Sequence, residues 1–171
     1  MQKAILIGPP GSGKSTVGKA IARELGIGFV DTDSLIVEEQ GKSIAEIFAT
    51  AGESGFRAIE RLTVLKALQS DVGVISLGGG SILDEEVQSA LATSSAQVIY
   101  LKVGLSNVLS RMGSKGERPL VADDPKSQWL KILQDRAPIY RKLATAEVNT
   151  DNKKSHKVAR EIIALMGLNH A

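Results

Sequence analysis

Short apolar runs alternate along the chain with longer stretches in which apolar residues recur at helical spacing. The runs predict five strands, at residues 4–7, 28–31, 72–77, 97–103 and 147–149. The longer stretches predict helices, at residues 14–25, 34–40, 44–50, 53–69, 85–93, 106–111, 127–143 and 156–166. Strands that alternate with helices are typical of a mainly parallel sheet covered on both faces, so we predict an α/β fold. Ligands of such sheets bind at the carboxyl ends of the strands.

The alternation runs through the chain without an internal repeat, a low-complexity tract or an interdomain linker. We therefore predict a single domain over residues 1–171. One segment departs from the pattern, because residues 113–125 are rich in Gly, Pro, Ser and charged side chains and so predict a loop. Long loops inside a compact domain are usually functional or disordered. We interpret this one as a lid at about residues 112–125.

Composition narrows the function without specifying it. Hydrophobic residues fill 43% of the sequence, and because aromatic residues make up only 4%, Ile, Leu, Val and Ala must build most of the core. The net charge of +2, with both signs interspersed, gives no reason to expect a nucleic-acid or membrane partner. The lack of cysteine excludes disulfides, thiolate metal sites and a cysteine nucleophile. No apolar run reaches the roughly 20 residues that span a bilayer, so we expect a soluble cytoplasmic protein and, without a large apolar surface, a monomer.

A glycine-rich segment after the first predicted strand carries the strongest chemical signal. Gly8-x-x-x-x-Gly13-Lys14-Ser15 fits the P-loop pattern, with an apolar strand before it and an amphipathic helix after it. Backbone N–H groups and the start of the helix would bind phosphates, Lys14 would neutralise the β- and γ-phosphates, and the Ser15 hydroxyl would bind Mg²⁺. We therefore predict an ATP site with Mg²⁺. The nucleotide-binding residues predicted from this segment are Gly11, Ser12, Gly13, Lys14, Ser15 and Thr16.

Two carboxylates, Asp31 and Asp33, follow the second predicted strand. Near a metal-bound triphosphate, one could hold a magnesium water and the other could take or orient a hydroxyl proton. The alternative, equally favoured by spacing alone, is that Asp33 or Ser34 caps the next helix. P-loop ATPases usually carry a metal-binding aspartate after a later core strand, but the third predicted strand runs into three glycines. Asp31 is therefore the best candidate for the metal-side carboxylate.

Two arginines and a triple glycine could form a second, anion-binding site. Arg57 and Arg136 each offer a planar fork that matches a carboxylate or phosphate. Together with the backbone N–H groups of 78–80, they would suit a small anionic acceptor. Taken singly, each arginine is more often a solvated surface residue. Glu60 could orient Arg57 as an i, i+3 partner, or the two could form an ordinary surface pair.

The ordered set of these motifs resembles the shikimate kinase family over nearly the whole chain. The matching segments are Gly-Pro-Pro-Gly-Ser-Gly-Lys-Ser-Thr16, Asp31-Thr-Asp33, Gly52-Glu-x-x-Phe-Arg57, Gly78-Gly-Gly80, Arg118-Pro-Leu120 and Arg136-x-Pro-x-Tyr140. The resemblance implies phosphoryl transfer from MgATP to the 3-hydroxyl of shikimate, in the pathway to chorismate and the aromatic amino acids. It also implies a three-layer αβα fold with a five-stranded parallel sheet, a mobile lid and a shikimate-binding helical segment at about residues 33–60.

The same resemblance implies roles for individual residues. Asp33 would contact the acceptor hydroxyls and serve as base, and Lys14 and Arg118 would act on the transferring phosphoryl group. Ser15 and Asp31 would serve the magnesium. The residues implied for shikimate are Asp33, Arg57, Gly78, Gly79, Gly80 and Arg136. Those implied for the nucleotide beyond the P-loop are Arg111 along the adenine, Arg118 on the lid and Lys153 in the adenine loop.

Two other readings stay open. A gluconate or nucleotide kinase would also carry a P-loop and a lid, but would not need two arginines and a triple glycine around a small carboxylate. A non-catalytic nucleotide switch would keep the P-loop but could lose Asp33 or Arg118, and both are present here.

Overall fold

A computed structural model describes residues 3–112 and 125–167 of the 171-residue chain. The strands in this part are β1 (Ala4–Ile7), β2 (Phe29–Asp31), β3 (Val74–Ser76), β4 (Gln97–Lys102) and β5 (Ala146–Asn149). The helices are α1 (Lys14–Leu25), α2 (Thr32–Gln40), α3 (Ile44–Gln69), α4 (Glu85–Thr93), α5 (Leu105–Met112), α6 (Pro125–Leu143) and α7 (Ser155–Leu165). A short 3₁₀ turn, Ser81–Leu83, lies between β3 and α4.

All five strands pair in parallel, in the order β2-β3-β1-β4-β5. In the register of the sheet, Leu6 lies beside Ser76 on one side and Ile99 on the other. The strand order places β1, which leads into the P-loop, at the centre. The predicted α/β fold with a five-stranded parallel sheet is confirmed.

Successive residues of β1 enter two different cores, because neighbouring side chains of a strand point to opposite faces. Ala4 and Leu6 pack into a cluster that includes side chains of α1 and α7. Ile5 and Ile7 pack into a second cluster with side chains of α3, α4 and α6. Since every residue of β1 is buried, helices cover both faces of the sheet, which gives the three layers.

The helix boundaries differ from the sequence prediction in informative places. The predicted helices 44–50 and 53–69 form one element, α3, with a kink at Gly52, whose φ of 72° and ψ of 178° are not helical. Helix α2 begins at Thr32, and its N-cap is Asp31 rather than Asp33 or Ser34. Helix α6 begins at Pro125, before its predicted start at residue 127, and contains Pro138 in its interior.

The topology gathers the candidate chemistry at one edge of the sheet. The P-loop follows β1, Asp31 ends β2, and the triple glycine follows β3, all at carboxyl ends of parallel strands. No helix in the described ranges is long and apolar enough to cross a membrane.

Candidate active site

The P-loop turns through conformations that require glycine. Gly11 has φ of 81° and Gly13 has φ of 89°, in the left-handed region that side-chain-bearing residues rarely adopt. The Ser12 N–H donates to the Pro9 carbonyl at 3.2 Å, which tightens the turn. Gly13 is the N-cap of α1, so the positive end of that helix faces the loop. Thr16 lies exposed in the first turn of α1.

Lys14 spans the inside of this loop. Its Nζ donates to the carbonyl oxygens of Gly8 at 2.9 Å and Pro9 at 3.1 Å, and lies 3.4 Å from Ser12 Oγ. The residue is only 9% exposed. The ammonium is therefore held beside the backbone groups that would bind phosphate.

The start of α1 and the end of β2 meet through Ser15 and Asp31. The Ser15 hydroxyl donates a short hydrogen bond to Asp31 Oδ2, while Asp31 Oδ1 accepts from the Asp33 backbone N–H at 2.9 Å. The same carboxylate thus caps α2 and contacts the P-loop serine. A hydroxyl and a carboxylate are hard oxygen donors, which fit Mg²⁺. Residues 3–112 and 125–167 contain no cluster of three acidic, histidine or cysteine side chains at metal-binding distance.

Asp33 lies in the first turn of α2, against the first glycine of the triple glycine. A methyl group placed on Gly78 would lie 2.6 Å from Asp33 Oδ1 and 3.0 Å from Glu60 Oε2. The neighbouring Thr32 is fully buried, and its Oγ1 accepts from the Gly78 N–H at 3.2 Å. This bond fixes the start of α2 to the glycine turn, so the position of Asp33 depends on both segments.

Glu60 is a buried carboxyl group among charged neighbours. It is 3% exposed, and burial raises its pKa to about 7. The positive charges of Arg57 and Arg136 oppose that rise, whereas the negative charge of Asp33 adds to it. Its burial means that the Arg57–Glu60 pair is not the ordinary surface pair that spacing alone also allowed.

Arg57 is fixed on three sides. Its Nη1 donates to Glu60 Oε1 at 2.7 Å, and its Nε lies 3.9 Å from Glu53 Oε1. A methyl group on Gly80 would lie 2.6 Å from both Nη1 and Nη2, so the guanidinium packs against the last glycine of the turn. The fork is thereby presented at the glycine turn with its orientation determined by Glu60.

Arg136 reaches the same region from α6. It is 5% exposed, and its charge acts on both Glu60 and the Tyr140 hydroxyl. The structure thus brings Arg57 and Arg136, 79 positions apart in sequence, to one carboxyl group. A buried guanidinium, that of Arg136, and a partly buried one, that of Arg57, both act on the buried Glu60 carboxyl group. Two positive charges beside one carboxyl group favour the binding of an additional anion.

Three contacts that hold the site together were not predicted. Thr32 lies between two aspartates, and its side chain accepts a hydrogen bond from the Gly78 N–H. Trp129 of α6 is 1% exposed and donates from Nε1 to the Pro10 carbonyl at 3.1 Å. Tyr140, the last residue of the Arg136-x-Pro-x-Tyr140 segment, donates from its hydroxyl to the Gly79 carbonyl at 2.6 Å. For Trp129 and Tyr140, the only signal in the sequence is the residue type, because Trp and Tyr carry a polar atom that usually finds a hydrogen-bond partner when the ring is buried.

The remaining predicted nucleotide residues are less connected to this cluster. Lys153 follows β5 and pairs with Glu161 of α7, with 3.0 Å between Nζ and Oε2. Arg111 lies in the last turn of α5. Arg118 and most of the predicted lid fall outside the described residues, so their roles stay predictions from the sequence.

This chain is similar in sequence and in architecture to known kinases. The family model described as shikimate kinase matches residues 10–167. A shikimate kinase of Rhodococcus jostii is 42% identical over 163 residues, which cover 95% of this chain and 96% of that protein. The structure of Acinetobacter baumannii shikimate kinase in complex with shikimate superposes with a TM-score of 0.94 at 30% identity, covering 99% of this chain and 94% of the other.

The fold extends to kinases of other substrates. A gluconokinase from Sinorhizobium meliloti aligns over 98% of this chain and 92% of its own, with a TM-score of 0.63 and 18% identity. At that identity the likeness concerns the architecture alone. The fold alone therefore does not specify the acceptor, which has to be argued from the side chains of the site.

Proposed function

This chain belongs to the shikimate kinase family, and we propose that it transfers the γ-phosphoryl group of ATP to the 3-hydroxyl of shikimate. The products are shikimate 3-phosphate and ADP, in the pathway to chorismate and the aromatic amino acids. The observation that carries the proposal is the convergence of Arg57, Arg136 and Asp33 on the glycine turn, directly beside the P-loop.

The donor half of the site is the P-loop with Lys14. Backbone N–H groups from Gly11 to Ser15 and the start of α1 would hold the phosphates of ATP. Lys14 would leave its contacts with the loop carbonyls for the β- and γ-phosphate oxygens, where it neutralises charge as the phosphoryl group leaves.

The acceptor half is the cluster around the glycine turn. Arg57 and Arg136 would bind the carboxylate of shikimate through charge-assisted hydrogen bonds, and the Gly79 backbone would add a contact. Asp33 would accept the proton of the attacking hydroxyl. The hydroxyl oxygen then forms its bond to the γ-phosphorus while the bond from that phosphorus to the ADP oxygen breaks. Positioning and charge stabilisation account for most of the rate in such transfers, and no enzyme nucleophile is needed.

Ser15 and Asp31 are the residues that would hold Mg²⁺. Their oxygens already contact each other at the edge of the P-loop. Two protein oxygens suit a metal that keeps several waters and binds substrate phosphates. When bound, Mg²⁺ would neutralise charge on the triphosphate. We also propose that the protein acts as a monomer in the cytoplasm, where ATP is supplied.

A coupled assay of ADP release tests the proposal directly. Purified protein with MgATP is given shikimate, gluconate or a nucleoside monophosphate, and a Lys14→Ala variant prepared in parallel measures any contaminating kinase. We expect shikimate alone to stimulate ADP release, and only in the wild-type protein. Turnover of gluconate or a nucleotide without turnover of shikimate would overturn the proposal, as would equal activity in the variant.

A further inference from the structure

Tyr140 links Arg136 of the proposed acceptor site to the Gly79 peptide, which lies against the P-loop. The residue is fully buried on α6, one turn beyond Arg136. Its hydroxyl donates to the Gly79 carbonyl at 2.6 Å, across 61 positions of sequence. The Tyr140 hydroxyl also forms a hydrogen bond with the Arg136 side chain. Burial raises the pKa of Tyr140, whereas the positive charge of Arg136 and this hydrogen bond lower it.

Gly79 itself lies against the P-loop. A methyl group on Gly79 would lie 3.2 Å from the Gly8 carbonyl oxygen and 3.2 Å from Pro10 Cδ. A chain of contacts thus runs from Arg136 through the Tyr140 hydroxyl to the Gly79 peptide, and from there to the loop that binds ATP. A shift of the Tyr140 hydroxyl would therefore move both of its partners, Arg136 and the Gly79 peptide, which are both predicted to contact the acceptor.

We propose that Tyr140 is a positioning residue for the acceptor, whose hydroxyl holds the Arg136 fork and the Gly79 peptide in register with each other. The inference rests on the proposed function, since the acceptor is the shikimate carboxylate and ring. Tyr140 touches neither substrate in this role. Its effect is transmitted through Arg136 and Gly79, so it should appear in acceptor binding and leave ATP binding little changed.

The chain contains a matched control in Tyr100. Its ring lies 5.1 Å from that of Tyr140, centroid to centroid, and it is 2% exposed. Its hydroxyl is influenced by Arg141 and Glu147 instead of Arg136. Removing the Tyr100 hydroxyl therefore perturbs the same aromatic pair without touching the acceptor site.

The test compares Tyr140→Phe and Tyr100→Phe with the wild type, by KM for shikimate, KM for ATP, kcat and thermal melting. We expect Tyr140→Phe to raise the shikimate KM by up to roughly tenfold, because Arg136 and the Gly79 peptide lose their common partner, with the ATP KM near wild type. Since the hydrogen bond is already present in the free protein, its loss should also lower the melting temperature by about 2–4 °C. Tyr100→Phe should behave as wild type. In an Arg136→Ala background, Tyr140→Phe should add little, because both changes remove the same binding interaction.

Several results would overturn the inference. These are an unchanged shikimate KM in Tyr140→Phe, a parallel rise of both KM values, an equal effect of Tyr100→Phe, or full additivity with Arg136→Ala. Absence of shikimate turnover in the wild type would overturn the proposed function together with this inference. Turnover in the wild type with an unaffected variant would overturn the role of Tyr140 alone.

Discussion

The Arg57 guanidinium donates to the Glu60 carboxylate at 2.7 Å, and Glu60 is 3% exposed. A buried carboxyl group beside a proposed anion site makes acceptor binding depend on pH. Burial raises the pKa of Glu60 to about 7 against the opposing charges of Arg57 and Arg136, with Asp33 adding to the rise. Glu60 is therefore neutral well below pH 7 and negatively charged well above it.

Shikimate affinity should fall as the pH rises through about 7. A charged Glu60 repels the acceptor carboxylate and partly neutralises Arg57, so the anion binds best to the form in which Glu60 holds its proton. Calorimetric titration of shikimate without ATP, between about pH 6 and pH 8, measures this without interference from phosphate ionisation. We expect the affinity to fall several-fold over this range. Such a loss is smaller than the tenfold change that corresponds to about 1.4 kcal/mol of binding free energy.

The Glu60→Gln variant is the control for that titration. Glutamine keeps the size and an acceptor oxygen for Arg57 but does not titrate, so its shikimate affinity should vary little over the same range. An affinity that rises with pH in the wild type, or an equal slope in Glu60→Gln, would contradict the assignment of the pH dependence to this carboxyl group.

Asp33→Asn should abolish most turnover while leaving nucleotide binding intact. Asparagine preserves the size of the side chain but cannot take the hydroxyl proton, and general-base catalysis typically contributes about 10²- to 10⁴-fold. We expect kcat to fall within that range, with ATP affinity changed less than about twofold. Glu39→Gln, an exposed change on the same helix, should be silent. Near-normal kcat in Asp33→Asn would exclude its role as base.

The proposed carboxylate fork can be tested on Arg57 and Arg136 separately. Charge-assisted hydrogen bonds contribute about 1.5–3 kcal/mol, so Arg57→Ala or Arg136→Ala should weaken shikimate binding roughly 10- to 150-fold. Arg61, one turn beyond Arg57, pairs with Asp84 at 2.6 Å, and Arg61→Ala serves as the control for loss of a charge from α3. If calorimetry finds unchanged shikimate affinity in either variant, that arginine lies outside the site.

The sequence predicted contiguous features better than features that depend on the fold. The P-loop was predictable because its glycines, lysine and serine are adjacent and lie between a strand and a helix. The sheet followed from alternating strands and helices. The bond from Tyr140 to Gly79 was not predictable, since it joins residues 61 positions apart that only the packing of α6 brings together.

Asp31 illustrates a second limit of sequence reasoning. Spacing left the choice between helix cap and functional carboxylate open, and assigned the cap to Asp33 or Ser34. In the structure the two Asp31 oxygens divide the work, because one caps α2 and the other accepts from Ser15. Sequence spacing can suggest a helix cap or a functional carboxylate, but it does not show that one residue, Asp31, fills both roles.

That division of roles allows the proposed magnesium function of Asp31 to be separated from its structural one. Asp31→Asn keeps an oxygen for the Asp33 N–H but removes the charge, so the Mg²⁺ concentration for half-maximal rate should rise about tenfold with little change in melting temperature. Asp31→Ala should show the same metal effect and also lose about 1 kcal/mol of stability with the helix cap. A Mg²⁺ dependence in Asp31→Asn that matches the wild type would remove Asp31 from the metal site.

The triple glycine is required by close approach and not by backbone conformation, since none of its three residues has positive φ. A methyl group on Gly78 would lie 2.6 Å from Asp33 Oδ1, whereas one on Gly80 would lie 2.6 Å from the terminal nitrogens of Arg57. Both distances are too short to persist, so the flexible side chain must move in each case. Gly78→Ala should therefore mainly lower kcat, and Gly80→Ala should mainly raise the shikimate KM, each by roughly 10- to 100-fold if one charge-assisted contact is lost.

Gly28→Ala is the matched control for this series, because the nearest atom to its added methyl would be Val72 Cγ1 at 3.9 Å. Steady-state kinetics with shikimate and ATP varied in turn would separate the two effects. The same kinetic change in Gly78→Ala and Gly80→Ala, or wild-type behaviour in both, would contradict the assignment of Asp33 to catalysis and Arg57 to acceptor binding. If Gly78→Ala lowers mainly kcat and Gly80→Ala raises mainly the shikimate KM, each glycine is connected with the side chain it accommodates, Asp33 and Arg57 respectively.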